Sequence, residues 1–406
     1  MWLRLYTYGL LGSLYLDMWL WFVYLLHLGY SPAQIGIAYA VMQAVRFFVD
    51  LPSSMLADRF GQRPVLVAGS VLKCISSLLF LLADRGFGFV IAGSAVTAFA
   101  LTLPSGVDLS YVRSLSERSG RTGSGGGLQF RLSRFMSMQT LASAFAGAIG
   151  GAIATVSFPL LYQTDAALGL LAAAMALTLP NVRPPTAERA AGQPWHAPVT
   201  QALRAVAGGT GASSGFWRLA ALIIPLWTFS AVATEYTQAL FQRIGLQPFA
   251  ISLAFTLASG VGWLGTLLSG RVPEQRRTAA LRLLVWLYPI ASAVRAFAIP
   301  GRTSAAQAGV AGMGVARLGT GTCNVLTNTA LLERAPKEHG ATALSAANTL
   351  QMAGMMLLFP ALGLVAGEKG IWFAFVLLAG GLAIVAGGLQ FTLRAGVQQR
   401  LPHTSA

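Results

Sequence analysis

Charge is scarce in this chain. Asp, Glu, Lys and Arg together make up 10% of its 406 residues, whereas an ordinary soluble domain carries about a quarter. So few charged groups cannot build the polar shell that a water-soluble core of this size requires. Cysteine is nearly missing too. Cys74 and Cys323 each lie inside an apolar run, with no CxxC pair or histidine cluster nearby, which excludes a disulfide framework and a zinc site and leaves both as small buried residues. The histidines, His27, His196, His339 and His403, all fall at or beyond expected helix ends, so a histidine relay inside a membrane is not expected. The chain shows no phosphate loop, ATP-binding module or metal constellation, and no Ser/His or paired-Asp arrangement suited to an enzyme.

What is present is apolar. Hydrophobic residues make up 55% of the chain and its mean hydropathy is +0.63, so lipid is the expected outer solvent. The net charge of +15 does not mark a nucleic-acid binder, because the basic residues lie between apolar runs and are not gathered on one domain among aromatics. A helix needs roughly 20 apolar residues to cross the hydrocarbon. Twelve runs of that kind occur, at about 6–28, 33–56, 64–83, 88–112, 134–156, 158–180, 217–242, 248–270, 280–300, 304–332, 341–366 and 371–393. Ser31 followed by Pro32 reads as a cap opening the second span, and Pro64 opens the third. The first run continues into further helices and lacks a small-residue cleavage site, so it is expected to be a span and not a removable signal peptide.

Arginine and lysine in the connections set the expected orientation. With both termini cytoplasmic, twenty fall on the inner side, only Arg85, Arg243, Arg302 and Lys369 on the outer side, and Arg46, Lys73, Arg295 and Arg317 within spans. Residues 181–216 form the longest polar stretch and are rich in Pro, Gly and Ala. They are expected to link two six-helix bundles, 1–180 and 217–406, since such a stretch buries little. The halves carry a faint repeat. Ser54-Met55-Leu56-Ala57-Asp58-Arg59-Phe60-Gly61-Gln62-Arg63 follows span 2, and Gly270-Arg271-Val272-Pro273-Glu274-Gln275-Arg276-Arg277 follows span 8. Each places a small residue four positions before an acid, with arginines after it.

The first of these stretches resembles the cytoplasmic loop signature of the major facilitator superfamily, G-x-L-A-D-R-x-G-R-R, at the place where that family carries it. Ser54 replaces the first glycine and Gln62 one of the paired basic residues. Phe48-Val49-Asp50-Leu51-Pro52 ahead of it looks like the lead-in of many bacterial efflux members. In physical terms Gly61 permits a sharp turn, Asp58 is suited to the positive N-terminal end of a neighbouring helix, and Arg59 and Arg63 offer charge to cytoplasmic partners. The resemblance implies that Ser54, Asp58, Arg59, Gly61 and Arg63 form a conformational latch; the plainer reading is a set of membrane anchors. It also implies an all-α fold of twelve transmembrane helices in two pseudo-symmetric bundles, with spans 1, 4, 7 and 10 lining a cavity.

Each of those four spans carries one charge: Asp17, Asp108, Glu235 and Arg317, respectively. An ionisable group at mid-bilayer costs at least ~2.5 kcal/mol and usually serves function. Asp17 stands among Leu16, Met18, Trp19 and Leu20, and Glu235 follows Pro225 and Trp227 in a similar setting, so both are candidates for proton coupling or substrate binding. Asp108 lies near Arg113, where a structural pair is an equal alternative. Arg317 sits in Gly314-Val315-Ala316-Arg317-Leu318-Gly319-Thr320-Gly321, similar to an arginine–glycine pattern that the family often carries in span 4; here it stands in span 10, and span 4 lacks it. Trp21, Tyr24, Trp227, Phe229 and Tyr236 share helices with the two acids and are candidate cavity aromatics, interfacial belts being the alternative. Arg46 and Asp50, four apart, are expected to form a structural pair. Lys73 and Arg295 are expected to pair or to snorkel. The ridge through Gly147, Gly150 and Gly151 in span 5 suits close backbone packing and loosely resembles the glycine motif of antiporters.

The expectation is therefore a monomeric secondary transporter of the bacterial cytoplasmic membrane, with no cofactor, drawing on the proton gradient and exporting a small amphipathic organic compound by alternating access. A carboxyl group removed from water holds a proton more readily, so Asp17 or Glu235 could exchange protons for substrate. The alternatives are a carrier of an anionic metabolite held by Arg317, and a lipid flippase-like factor.

Overall fold

The computed structural model describes residues 1–105, 107–118, 126–182, 214–269, 271–299, 304–334 and 340–398. Most of the expected linker lies outside these residues, as do His196, His339 and His403. The described residues fold as α-helices and turns, with one 3-10 turn and no strands. In chain order the helices are α1 (Trp2–Ser13), α2 (Trp21–His27), α3 (Pro32–Phe60), α4 (Gln62–Leu81), α5 (Phe87–Thr102), α6 (Val107–Arg118), α7 (Gly126–Val156) and α8 (Phe158–Leu177). Then come α9 (Ser214–Arg243), α10 (Pro248–Ser269), α11 (Glu274–Leu284), α12 (Leu287–Ala296), α13 (Ala305–Leu332), α14 (Gly340–Glu368) and α15 (Ile371–Gln398). They coincide with the twelve expected runs, three of which divide. The first becomes α1 and α2, the fourth α5 and α6 with Pro104 at the join, and the ninth α11 and α12.

Nine helical stretches among the described residues are long and apolar enough to cross a membrane. The first, second and tenth expected spans are not among them; the first breaks between Ser13 and Trp21. Lipid as the outer solvent accounts for side chains that water would penalise: Ile384 is 78% exposed and Phe391 75% exposed, on a helix whose inward positions Phe375, Leu382 and Leu389 are buried.

Two compact units emerge, one of Met1–Tyr30, Ile37–Gln201 and Pro248–Leu253, the other of Ser31–Gly36, Ala202–Gln247 and Ala254–Ala406. In the first, α4 packs chiefly on α8 and α5, and α1 on α8 and α7. Its apolar core gathers Leu5, Leu66, Tyr111, Val112, Leu115 and Phe135. In the second, α12 packs on α13 and α15, and α9 on α15 and α14. Its core gathers Phe216, Ile223, Leu226, Val285, Tyr288 and Leu389.

Local chemistry sets the helix starts. Ser31 Oγ accepts the Gln34 N–H at 3.2 Å while the Ser31 N–H donates to Gln34 Oε1 at 2.9 Å, a reciprocal cap with Pro32 in the first helical position. Ser157 caps α8, accepting from the Leu160 N–H at 3.4 Å. Between α3 and α4 the chain turns at Gly61 with φ +90° and ψ 162°. The Gln62 N–H donates to the Val182 carbonyl at 3.0 Å, and Gln62 Nε2 to Ser110 Oγ at 2.8 Å. In the second unit α10 and α13 meet along glycines: a Cβ at Gly321 would run into the backbone of Gly262, and one at Gly265 would lie 3.0 Å from the Leu318 carbonyl oxygen. Thr266 Oγ1 closes the seam by donating to the Gly321 carbonyl at 3.2 Å.

Two outcomes are expected. Gly61→Ala places a side chain in a region of backbone space reserved for glycine and against Asn181, which costs about 1–3 kcal/mol; the thermal unfolding midpoint of the detergent-solubilised protein should fall accordingly. Gly321→Leu forces α10 from α13 and should lower the yield of folded protein on size exclusion, whereas the same change at Gly314, which meets nothing within 4 Å, should leave it unchanged.

Candidate functional site

Seven residues, Leu14 to Leu20, interrupt the first span. No proline or glycine stands within them, so the break is held by partners and not by intrinsic chain stiffness. In hydrocarbon each freed backbone group must find such a partner. Lys73 Nζ donates to the Leu14 carbonyl. The Leu16 N–H donates to Asp165 Oδ1 at 3.0 Å. The Leu20 and Trp21 N–H groups both return to the Asp17 carbonyl, at 2.7 and 2.9 Å, and restart the helix.

Lys73 on α4 and Asp165 on α8 pair at 3.6 Å, both side chains 2% exposed. Ser77, one turn beyond Lys73, donates to Asp165 Oδ2 at 2.8 Å, and the ammonium sits 4.3 Å from the centre of the Tyr15 ring. Small residues bring these backbones together. A Cβ at Gly169, one turn beyond Asp165, would press on the Cys74 backbone at 2.8 Å, and one at Gly150 on α7 would overlap the Leu16 carbonyl. The span 5 ridge thus lies directly on the break. Asp17, half-buried in that segment, lies in the fields of Asp165 and Lys73. The buried Tyr162 hydroxyl, which senses both carboxylates, has no hydrogen-bond partner among the described residues.

The second unit builds a different cluster. Glu235 on α9 is half-buried and accepts from Gln238 Nε2 at 2.9 Å. Its charge acts on Arg317 of α13, and Arg317 in turn acts on Arg295 of α12. Arg295 is 2% exposed. Its guanidinium donates to the Ala233 carbonyl at 3.1 Å, Thr237 Oγ1 at 3.0 Å and the Gly312 carbonyl at 3.4 Å, and lies 5.5 Å from the Phe375 ring centre. It ties α9, α13 and α15 together through two carbonyls, a hydroxyl and a ring.

The remaining candidates are distributed more widely. Asp108, in the first turn of α6, accepts from its neighbour's Leu109 N–H and from Gln139 Nε2, each at 2.8 Å, so its recorded partners are an amide and a backbone group. Arg46 is half-buried and Asp50 exposed on α3. The side chains of Ser54, Asp58 and Arg59 lie outside the described residues; Gly61 makes the turn and Arg63 is half-buried. The helical spacing from Asp17 to Trp21 and Tyr24 does not carry over, because Asp17 is not in a helix. Trp21 stacks on Tyr39 at 5.7 Å. Tyr24 is buried against Tyr162 and donates to the Phe80 carbonyl at 3.0 Å, and Tyr236 is buried and donates to the Phe359 carbonyl at 2.8 Å. Trp227 is buried with Nε1 donating to Thr327 Oγ1 at 3.3 Å. Phe229 lies across Gly381. Of the five aromatics, Tyr24, Trp227 and Tyr236 are therefore committed to interior packing.

Asp165 escaped the sequence reading. Its signal was available, as an acid deep within the apolar run Phe158–Leu177; its partner Lys73 lies on a distant helix, α4.

The chain matches the family model described as Major Facilitator Superfamily over residues 7–360. No protein of curated function matches it. Among solved structures it is similar to the nucleoside transporter NupG, at 17% identity and a TM-score of 0.72, over 97% of this chain and 97% of that one. A D-xylose–proton symporter gives 12% identity and 0.66 over 95% and 96%, and the POT family transporter PepTSo 12% and 0.70 over 98% and 98%. These likenesses share the fold; the family match extends over most of the sequence. The chain belongs to the major facilitator superfamily, as an integral membrane protein of that transporter fold.

Proposed function

We propose that this protein is a proton-coupled transporter of a small amphipathic organic compound, working by alternating access in a bacterial cytoplasmic membrane and expelling its substrate in exchange for protons. The observation that carries the reading is a carboxylate inside an apolar span of each unit: Asp17 at the break of the first span, and Glu235 on α9 beside Gln238 and Arg317. An acid at that depth is costly unless it is used. Trp21 and Phe229, each half-buried, leave aromatic surface for an apolar or cationic substrate. The exchange direction rests on the resemblance of the stretch around Asp50 and Pro52 to efflux members; a sugar–proton symporter among the similar structures makes co-transport its rival.

A direct test uses proteoliposomes loaded with a panel of organic cations, nucleosides and sugars, and a trapped pH dye. Exchange predicts that solute leaving down its gradient draws protons in and acidifies the lumen. Luminal alkalinisation would establish co-transport instead, and absence of any coupled pH change across the panel would refute proton coupling. Asp17→Asn and Glu235→Gln should each lower proton-driven flux at least about tenfold, or ~1.4 kcal/mol of barrier.

A second reading, carriage of an anionic metabolite, is favoured by the two guanidinium groups of Arg317 and Arg295 on adjoining helices. It predicts that Arg317→Ala abolishes binding of a carboxylate-bearing solute measured by calorimetry, with binding retained in Asp17→Asn and Glu235→Gln.

A further inference from the structure

The Lys73–Asp165 pair is sealed from solvent, yet it does more than neutralise itself. Its lysine holds the Leu14 carbonyl and its aspartate holds the Leu16 N–H, so the two charges grip the backbone on both sides of Tyr15, immediately before Asp17. Asp17 follows Leu16 directly, within the electrostatic reach of both charges, so two acids and one base bear on this segment. We propose that Lys73 is shared between Asp165 and Asp17, and that this buried pair is a positioning device which presents Asp17 and sets the pH at which it exchanges its proton. The inference rests on the reading of Asp17 as a proton-binding group.

The charge arithmetic favours such sharing. With both carboxylates ionised the cluster carries one excess negative charge in a medium that tolerates little. A proton from water bound to Asp17, forming an O–H bond on its carboxyl, leaves Lys73 and Asp165 as a balanced pair. Release restores the excess and draws Lys73 toward Asp17. The same ammonium carries a backbone hydrogen bond of the break, so proton occupancy is registered in the segment that interrupts the first span. The titratable groups bearing on Asp17 are Lys73 from α4, Asp165 and Tyr162 from α8 and Tyr15 from its own segment, with Cys74 beside Asp165 and Tyr8 behind Tyr15. Among them only Lys73 supplies positive charge.

The test is an infrared pH titration of the full chain in liposomes, following the C=O stretch of protonated carboxyl groups and identifying the Asp17 band by its loss in Asp17→Asn. Asp165→Asn keeps an acceptor for Leu16 but removes a neighbouring anion that favours proton binding, so the Asp17 midpoint should move to lower pH by about one unit or more. Lys73→Met removes a cation that opposes it, and the midpoint should move to higher pH by a similar amount. The double variant should lie between them. A merely structural role would lower the thermal midpoints of the single variants and leave the Asp17 titration in place. Unchanged midpoints, or shifts in the same direction, overturn the proposal while the assignment of Asp17 stands. If Asp17→Asn removes no titrating band, the proton-carrier reading fails and this inference with it. Should Lys73→Met not fold alone, comparing the double variant with Asp165→Asn decides the matter: loss of the lysine must return the midpoint toward higher pH.

Discussion

Backbone amides have no water to turn to inside a bilayer, and much of the chemistry of this protein follows from that constraint. A continuous helix satisfies it internally. The first span breaks, and the groups it frees are taken by an ion pair from two other helices, Lys73 on α4 and Asp165 on α8. Isolated from each other, those charges would each be far costlier to bury than a leucine. Joined, and given a carbonyl, an N–H and the Ser77 hydroxyl as further partners, they hold a distorted segment in place. Close approach by Gly150 and Gly169 makes room for the arrangement, so small residues and buried charges act here as one device.

The second unit solves a related problem with different groups. Lys73 lies in the third expected span and Arg295 in the ninth, six runs later in the chain. Each cation donates to a carbonyl of the first span of its own unit, Leu14 in one and Ala233 in the other. Each also meets the last span of its unit, where Lys73 finds the carboxylate of Asp165 and Arg295 finds the ring of Phe375. The tyrosines differ, Tyr24 donating to the Phe80 carbonyl on α4 and Tyr236 to the Phe359 carbonyl on α14. A shared framework has thus been given a carboxylate at one place and an aromatic ring at the other.

Much of this was legible in the sequence. Apolar runs of membrane-spanning length located the helices, because the bilayer fixes how long such a run must be. The Ser31-Pro32 start and the Gly61 turn could be read because each rests on chemistry within a few residues. The break in the first span could not, since Leu14 to Leu20 contain neither proline nor glycine and owe their path to helices 50 to 150 residues away. The same holds for the aromatics. Helical spacing from Asp17 made Tyr24 a cavity residue, and only the tertiary packing around Tyr162 shows it inside. The partnership of Lys73 with Asp165 is of this long-range kind as well.

The turn between α3 and α4 has a mechanical corollary. Gln62 holds the Val182 carbonyl and Asn181 packs against Gly61 while reaching the Phe60 carbonyl, so the chain that follows α8 is pinned to the signature loop. Tension applied to the chain beyond residue 182 would load that loop before it strained α8.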